Sequence, residues 1–555
     1  MKSNKSSSLD SIVRNRTVIP RWKSPREAIE TSNSQEGEVL SRKTLGNPWI
    51  EHLTATFNQF PSAHTAHELY ETASLYGRAG GLAPLVLNLS KPLREALVRP
   101  DAMKQQFGGA TVHAPFSLDD SVDVHEAVAR SEIHRIRNLL TDNSDRPFCW
   151  SELARHYLVV AEHKKAIKCM QVALKLAKRN RYLCRAATRL YMHVQDPERA
   201  LSLLRSEPTI TSDPWLLAAE IATSTASSKK SRFLDVAMRF ITSSPFNENQ
   251  LSELAAAVGT VELIDGATKR AKFLFDKSLI APTENSLAQA QWAVERESKI
   301  VIPASAWKTP ASYEAKALAF RRARNWKNAL QACAAWLAEE PFSSRPAMMG
   351  SYLAFRPEYQ RMMEQFASAG LRRDPDNFPL LNNRAVARAY LGRTEEAYAD
   401  VKTALQHASA RNDAHLMATL GLIAFRSGMP ELGREYYGLS IAWFSQSREY
   451  TSVASAILYL SREEVRIAPT AVPIAIDLAK RIAKSPVATR QPELIGMTEL
   501  VLEEAPAYAT KKPLLNVPVI AGASTDDLKI QASLFQVPEK AKTIASRLSD
   551  FSKFV

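Results

Sequence analysis

The feature that most constrains the fold of this chain is a pair of amphipathic patterns in residues 150–180, because the same spacing returns further along. This stretch reads WSELARHYLVVAEHKKAIKCMQVALKLAKRN. Two apolar stripes with helical spacing flank a polar turn, and small residues on both stripes let two helices approach closely. The residues on these stripes are Trp150, Leu153, Ala154, Tyr157, Ala166, Met170 and Ala173. The pattern predicts a helix–turn–helix unit in which Trp150 and Tyr157 are buried beside the small residues.

The pattern returns at a regular period in the following part of the chain. Tyr191 occupies the position of Tyr157 one period later, and Ala200 occupies that of Ala166. Weaker copies of the turn and second-helix positions follow downstream, at Ala271, Phe275, Gly392, Ala397, Gly421 and Gly428. A unit of this size cannot bury its open face alone, so it must stack against neighbouring units. The period therefore predicts an array of helix pairs.

The spacing W-x2-L-[GA]-x2-Y, followed by A-x3-F-x2-A, resembles the tetratricopeptide repeat (TPR), and the resemblance extends over roughly residues 147–283 and 310–445. Ala161 stands where the family commonly has a turn glycine, and Lys178 stands where it usually has proline. The resemblance implies an all-α fold, a right-handed superhelical α-solenoid of antiparallel helix pairs whose first helices line a groove. It also implies a scaffold for protein–protein interaction, with no cofactor and no chemistry of its own.

Composition and patterning divide the chain into seven segments. Only 18 of the 555 residues are glycine, and 45% are hydrophobic, which favours a mostly folded, helical protein. The predicted segments are a disordered tail at 1–45, a helical region without a legible period at 46–146, basic TPR-like repeats at 147–298, an interrupting segment at 299–310, TPR-like repeats at 311–448, further helices at 449–508, and a linker with a short terminal helix at 509–555.

The motifs of common catalytic sites are absent from the sequence. It has no phosphate-binding glycine loop, no G-x-S-x-G and no H-E-x-x-H. His64, His67 and Glu68 lie within one predicted helical turn, but no third ligand has a recognised spacing, which favours a solvated helix face. The four cysteines form no C-x-x-C pair, and no apolar run could cross a bilayer. We therefore expect a cytoplasmic protein that is not an enzyme and binds neither metal nor membrane.

Basic residues are concentrated in one part of the chain. Residues 145–205 contain 13 Lys or Arg and 5 Asp or Glu, within a chain of net charge +14. Arg181, Arg185 and Arg189 recur every four residues, and the repeat register places Arg155 at the position equivalent to Arg189 one unit earlier. These four arginines are the predicted partner-binding residues, because guanidinium groups hold carboxylates or phosphates bidentately. A solvated basic face is the alternative interpretation.

A second group of arginines is unexpected in the repeat register. Arg384 and Arg388 occupy positions where the family usually has apolar residues, and burying an unpaired charge is costly. Three arrangements would avoid that cost: a rotated helix, side chains that extend toward solvent, or contact with acids or a ligand. We expect one of the first two.

Three functions are consistent with these observations. The first is a cytoplasmic scaffold whose basic groove takes an acidic or extended segment of another protein. The second is a nucleic-acid-associated subunit that binds phosphates through residues 147–205. The third is an enzyme with an unrecognised module in residues 47–143. The scaffold is favoured over nucleic-acid binding, because the repeat core uses the Trp and Tyr residues that would stack on single-stranded bases.

Overall fold

The computed structural model describes residues 16–23, 124–142, 144–243, 246–406 and 410–509, and within these ranges the regular structure is entirely helical. The α-helices are α1 Val124–Asp142, α2 Pro147–Val159, α3 His163–Leu176, α4 Arg181–His193, α5 Pro197–Ser206, α6 Pro214–Ala226, α7 Leu234–Ser243, α8 Glu248–Ile264, α9 Thr268–Ser278, α10 Glu284–Val294, α11 Tyr313–Arg322, α12 Trp326–Glu339, α13 Ser344–Leu353, α14 Gln360–Leu371, α15 Phe378–Tyr390, α16 Thr394–Leu405, α17 Ala410–Arg426, α18 Pro430–Gln446, α19 Tyr450–Ile467, α20 Val472–Lys484 and α21 Pro492–Glu504.

The described helices belong to two compact units. The N-terminal unit comprises the described residues within 13–318 together with 335–343, and the C-terminal unit comprises 319–334 and the described residues within 344–555. Among the described helices, none combines the length and apolar character that crossing a bilayer would require.

In the N-terminal unit, the first helices of successive pairs begin at a nearly constant spacing. The starts of α2, α4, α6, α8 and α10 fall at Pro147, Arg181, Pro214, Glu248 and Glu284. This spacing is close to the period of about 34 residues that is typical of TPR units. Each of α2, α4, α6 and α8 packs against the helix that follows it. The predicted helix–turn–helix repeats are confirmed, and the described residues form an all-α helical repeat.

The sequence sets the starts of these helices through capping. Before α6, the Asp213 carboxylate accepts the backbone N–H of Trp215 at 2.9 Å. Pro214 occupies the first helical position, where no backbone N–H is needed. Other side-chain caps precede α4, α8 and α10, at Asn180, Asn247 and Thr283.

One hydrogen-bonded turn recurs inside the helix pairs. In the first pair, Ala161 adopts a positive φ of 59°, its N–H donates to the carbonyl of Leu158 at 3.1 Å, and the N–H of Glu162 donates to Tyr157 at 2.8 Å. This bond pattern caps a helix C-terminus through one left-handed residue. The equivalent left-handed residues of later pairs include Gln195, Ser228, Gly266, Gly392 and Gly428. The turn conformation is therefore maintained along the chain even where alanine, glutamine or serine replaces the glycine that favours it.

Most of the predicted repeat core is buried, whereas Trp150 and Gly428 are only partly buried and the turn residue Gly392 is exposed. The buried members are Leu153, Ala154, Tyr157, Ala166, Met170, Ala173, Ala200 and Ala397. Trp150 was expected among them, but it is only half-buried and lies at the edge of the cluster. Its indole N–H donates to the carbonyl of Ser144 at 2.7 Å, just before α2 begins. Because the indole N–H bonds to this exposed backbone, the ring is held at the surface end of the helix pair.

In the C-terminal unit, close helix contacts explain a predicted glycine and the unexpected arginines. A side-chain carbon at Gly421 of α17 would lie 2.7 Å from the ring of Tyr437 on α18, so only glycine allows this approach. Arg384 bonds the carboxylate of Asp400 at 2.6 and 3.0 Å, and Arg388 bonds Asp400 at 2.9 Å and Glu364 at 3.1 Å. Rotation or extension to solvent was the wrong expectation, because acids on the adjoining helices neutralise both arginines in place.

Residues 16–23 depart from the predicted segmentation, and most of both terminal regions lies outside the described residues. Within the tail predicted at 1–45, residues 16–23 are extended and largely buried in the N-terminal unit. The interrupting segment at 299–310 contains a short 3-10 helix, Ala304–Lys308, between α10 and α11. Most of the region predicted at 46–146, including His64, His67 and Glu68, lies outside the described residues, as does nearly all of 509–555.

Candidate functional site

The most unusual element of the N-terminal unit is the extended segment Arg16–Lys23, with sequence RTVIPRWK. Every second side chain, at Arg16, Val18, Pro20 and Trp22, is buried, whereas the side chains between them are only partly covered. This alternation is the period of an extended chain. Pro20 has no amide N–H and restricts the backbone of Ile19 to extended conformations, so the segment cannot continue as a helix. The segment is thus an extended peptide bound against helices that follow far later in the chain.

Three side chains of the unit bind the main chain of this segment. Gln289 donates to the carbonyl of Arg16 at 2.8 Å, and Asn285, one helical turn away on α10, donates to the carbonyl of Ile19 at 3.1 Å. Tyr182 on α4 donates its hydroxyl to the carbonyl of Lys23 at 2.9 Å. These bonds depend on an extended backbone but not on the side chains that it carries. They hold a peptide at its start, middle and end.

Arg16 is the most completely bonded side chain of the segment. Its guanidinium makes a bidentate pair with Glu314 on α11, at 3.0 and 2.9 Å. It also donates to the amide oxygens of Gln289 at 2.6 Å and Asn285 at 3.0 Å. The side chains of Arg16 and Glu314 are only 3% and 4% exposed. A buried pair of this kind is tolerated only when such hydrogen bonds satisfy both ions, and it makes the position specific for arginine.

Arg21 and Lys23 extend the electrostatic contact to further carboxylates. Arg21 bonds Glu340 at 2.7 Å and also bonds Glu314, while Lys23 lies 3.0 Å from Glu284 and 3.5 Å from Glu339. The carboxylates that face the cationic segment are therefore Glu284, Glu314, Glu339 and Glu340. The surface that holds the segment is acidic, in contrast to the basic groove that the sequence predicted.

The two adjacent glutamates Glu339 and Glu340 respond to this arrangement in opposite directions. Burial alone would raise the pKa of Glu340, but Arg21 and then Arg189 outweigh it and lower the pKa to about 2. For Glu339, burial dominates over Lys23 and Arg21, and it raises the pKa to about 7. Glu340 is thus a firmly ionised ligand of Arg21, and Glu339 changes charge near neutral pH.

Apolar contacts fix the position of the segment along the site. Val18 is fully buried and belongs to the cluster of α6, α8 and α10 side chains, against which Ile19 also packs. Trp22 is 1% exposed and packs on Phe342, with ring centroids 5.8 Å apart. The guanidinium of Arg21 lies over the ring of Trp336, 5.6 Å from its centroid. Val18 and Trp22 therefore occupy separate apolar pockets, which sets the register of the bound segment.

The four arginines predicted to bind a partner all bond to residues of the same unit. Arg155 donates to the carbonyl of Glu339 at 3.2 Å, and Arg189 lies 3.5 Å from Glu340, so both contact the acidic stretch 339–343 of this chain. The other two reach neighbouring first helices or their caps: Arg181 bonds Asp213 at 2.6 Å, and Arg185 bonds Glu253 at 2.9 Å. All four guanidinium groups therefore have partners within the unit.

Within the described residues, no group of three or more His, Cys, Asp or Glu side chains is arranged to hold a metal ion.

The sequence analysis does not predict that residues 16–23 pack against the repeats, although the sequence contains a signal for it. Val18, Pro20 and Trp22 alternate in a stretch otherwise dominated by Ser, Lys and Arg. A period of two next to a proline is typical of a short docking peptide rather than of a disordered tail.

Comparisons with known proteins place few constraints on this chain. No protein family and no curated protein matches the sequence. Among solved structures, the chain is similar to yeast Tom70, with 12% identity and a TM-score of 0.28 over 70% of this chain and 97% of that one. It is also similar to the APC/C hetero-tetramer Cut9-Hcn1, with 11% identity and a TM-score of 0.24 over 66% of this chain and 94% of that one. The assignment as a helical repeat rests instead on the helix period and the recurring turns described above.

Proposed function

We propose that this protein is a non-enzymatic interaction scaffold whose N-terminal unit binds an extended segment of a partner protein. The site is the surface that holds residues 16–23, and that segment is its resident ligand. The observation that carries the proposal is the binding of main-chain carbonyls at Arg16, Ile19 and Lys23 by three side chains of the unit. Main-chain bonds combined with pockets for individual side chains are the general means by which proteins recognise extended peptides.

The charge of the site supports a basic partner segment. Four carboxylates face residues 16–23, and the predicted arginines are held by other groups of the unit. An acidic partner would have to replace the stretch 339–343 at Arg155 and Arg189. Phosphate binding through residues 147–205 would likewise compete for those arginines. A basic segment needs no such rearrangement, because it would replace residues 16–23 with the same contacts.

The test compares recruitment by full-length variants that differ only at the site. Arg16→Ala with Trp22→Ala weakens the resident segment while leaving the site intact, and adding Glu314→Gln to that pair damages the site as well. Quantitative proteomics of proteins bound to each variant in the native host should show partners that increase in the first variant and decline in the second. Arg130→Ala on α1, whose side chain is 66% exposed, is the matched control.

Two results would contradict this function. The first is an unchanged set of bound proteins across all variants, which would make residues 16–23 a purely structural element. The second is a set of bound proteins that Arg155→Ala or Arg189→Ala reduces and Glu314→Gln leaves unchanged, which would favour an acidic partner. Thermal unfolding of each variant shows whether the repeats stay folded.

A further inference from the structure

The chemistry of the bound segment defines what else can occupy its site. Without a cation, Glu314 and Glu340 would be like charges buried in one region, where each carries only 3–4% exposure. Buried carboxylates require positive partners, so an occupant has to supply guanidinium or ammonium groups at these places. Arg189 contributes one such group to Glu340, at 3.5 Å, but the bidentate partner of Glu314 comes from the segment.

The spacing of the two arginines is a specific requirement. In a straight extended chain, residues 16 and 21 would point to opposite faces, because five positions separate them. Both guanidinium groups nevertheless bond Glu314, so the side chain of Arg21 reaches the face of the segment that Arg16 occupies. Pro20 lies in this interval, and its ring restricts its own φ to a narrow range. A competing segment would therefore need both arginines at this spacing, with proline directly before the second.

The apolar pockets add two further requirements. The pocket at Val18 is lined by fully buried side chains of the repeat core and admits a small aliphatic group. The pocket at Trp22 faces Phe342 and buries the whole indole. An aromatic residue placed next to the second arginine fills this pocket, while Lys23 reaches Glu284 beyond it.

We propose, building on the function above, that the partner carries an extended Arg-x-Val-x-Pro-Arg-Trp-Lys segment and binds by displacing residues 16–23. Residues 16–23 then act as an intramolecular competitor, and a partner has to displace them from the site. Main-chain binding by Gln289, Asn285 and Tyr182 holds the displacing segment in the same register.

Synthetic peptides test this specificity directly. A fluorescein-labelled peptide with the sequence of residues 13–24 is titrated with the full chain, and binding is followed by fluorescence anisotropy. The variant Arg16→Ala/Trp22→Ala, in which the resident segment is weakened, should bind the peptide at least tenfold more tightly than the wild type. Peptides with Arg16→Ala or Trp22→Ala should bind that variant at least about thirtyfold more weakly than the parent peptide, because each loses a buried contact. Adding Glu314→Gln to the protein should cause a loss of similar size.

A scrambled peptide of identical composition separates specific recognition from general charge attraction. If it binds as tightly as the parent peptide, the proposed pattern is overturned. Failure of this inference is distinct from failure of the proposed function. Proteins recruited through Glu314 that lack the pattern would overturn the pattern and leave the scaffold function standing. Specific peptide binding without any change in recruitment would overturn the scaffold function alone.

Discussion

In the N-terminal unit, Arg16 and Arg21 bond carboxylates that lie 298 and 319 residues away in sequence, at Glu314 and Glu340. In the C-terminal unit, Arg384 and Arg388 bond Asp400, which is only 16 and 12 residues away. Both sets are arginine–carboxylate pairs with little solvent exposure. The pairs in the C-terminal unit join neighbouring helices of the repeat, whereas those in the N-terminal unit hold a separate extended segment. In these two sets, the short separations belong to pairs within the helical repeat, and the long separations belong to a segment that packs against it.

The largest expected effect is on the docking of the segment. Trp22→Ala should weaken its binding by about 3–5 kcal/mol, because a fully buried indole is lost. Hydrogen–deuterium exchange should increase in residues 16–23 while α2–α10 keep their protection. Trp150→Ala is the matched control, since its ring is only half-buried and lies at the edge of the cluster to which Trp22 belongs. Loss of protection throughout the unit in Trp22→Ala would show that the segment is an integral part of the repeat fold.

The corresponding change in the C-terminal unit should destabilise the helices themselves. Asp400→Ala leaves Arg384 and Arg388 without their shared partner and should lower the free energy of unfolding by about 2–3 kcal/mol. Urea unfolding followed by circular dichroism measures this change. Glu396→Ala, which removes a 48% exposed partner of Arg388 at 3.4 Å, should cost less than about 1 kcal/mol. Equal effects of the two substitutions would contradict the structural role assigned to Asp400.

Substitution of Glu339 or Glu340 by glutamine should change the stability of the N-terminal unit in opposite directions at pH 8. The raised pKa of Glu339 means that its stabilising contribution is present below pH 4.5 and is lost as the pH rises through about 7. Glu339→Gln should therefore increase stability by about 1–3 kcal/mol at pH 8, with little gain at pH 5. Because the pKa of Glu340 is lowered, its stabilising contribution is present above pH 4.5 and is lost only as the pH falls toward 2. Glu340→Gln should thus decrease stability at both pH values.

These measurements require urea unfolding at pH 5 and pH 8 for the wild type and both variants. A gain for Glu339→Gln that is independent of pH would show that packing, rather than charge, is responsible. A neutral effect of Glu340→Gln would mean that Arg21 has another adequate partner.

The smallest expected effects concern the turns that the two units share. Ala161→Gly should stabilise the N-terminal unit by about 0.5–1 kcal/mol, since alanine is strained at a φ of 59°. Gly392→Ala in the C-terminal unit, at a φ of 81°, should cost a similar amount. Thermal unfolding of both variants tests whether the turn has the same energetics in the two units. Destabilisation by Ala161→Gly would contradict this equivalence.

The helical repeats could be predicted from sequence because their signal is local. Leu153, Ala154 and Tyr157 recur within one helix, and their partners Ala166, Met170 and Ala173 lie on the very next helix. Trp150 shows the limit of that reasoning. Its position matches the repeat pattern, but its indole N–H bonds to backbone outside the helix, which a helical register does not include.

The site could not be predicted, because its determinants are distant in sequence. Periodicity places Arg189 on a first helix but gives no information on Glu340, which directly follows α12 and lies 3.5 Å from Arg189. Likewise, the cationic character of residues 16–23 resembles that of a solvated tail until Glu314 and Glu284 are seen beside it. The basic composition therefore suggested an acidic partner, whereas the surface that holds residues 16–23 is itself acidic.

The covalent attachment of residues 16–23 has a consequence for how the site is switched between occupants. A ligand within the same chain is present at a fixed local concentration, so the self-occupied fraction does not change when the protein is diluted. A partner in solution has no such advantage, and its occupancy rises with its abundance. Self-occupancy would then raise the partner concentration needed for half-saturation, and the strength of the contacts at Glu314 and Phe342 would set that concentration.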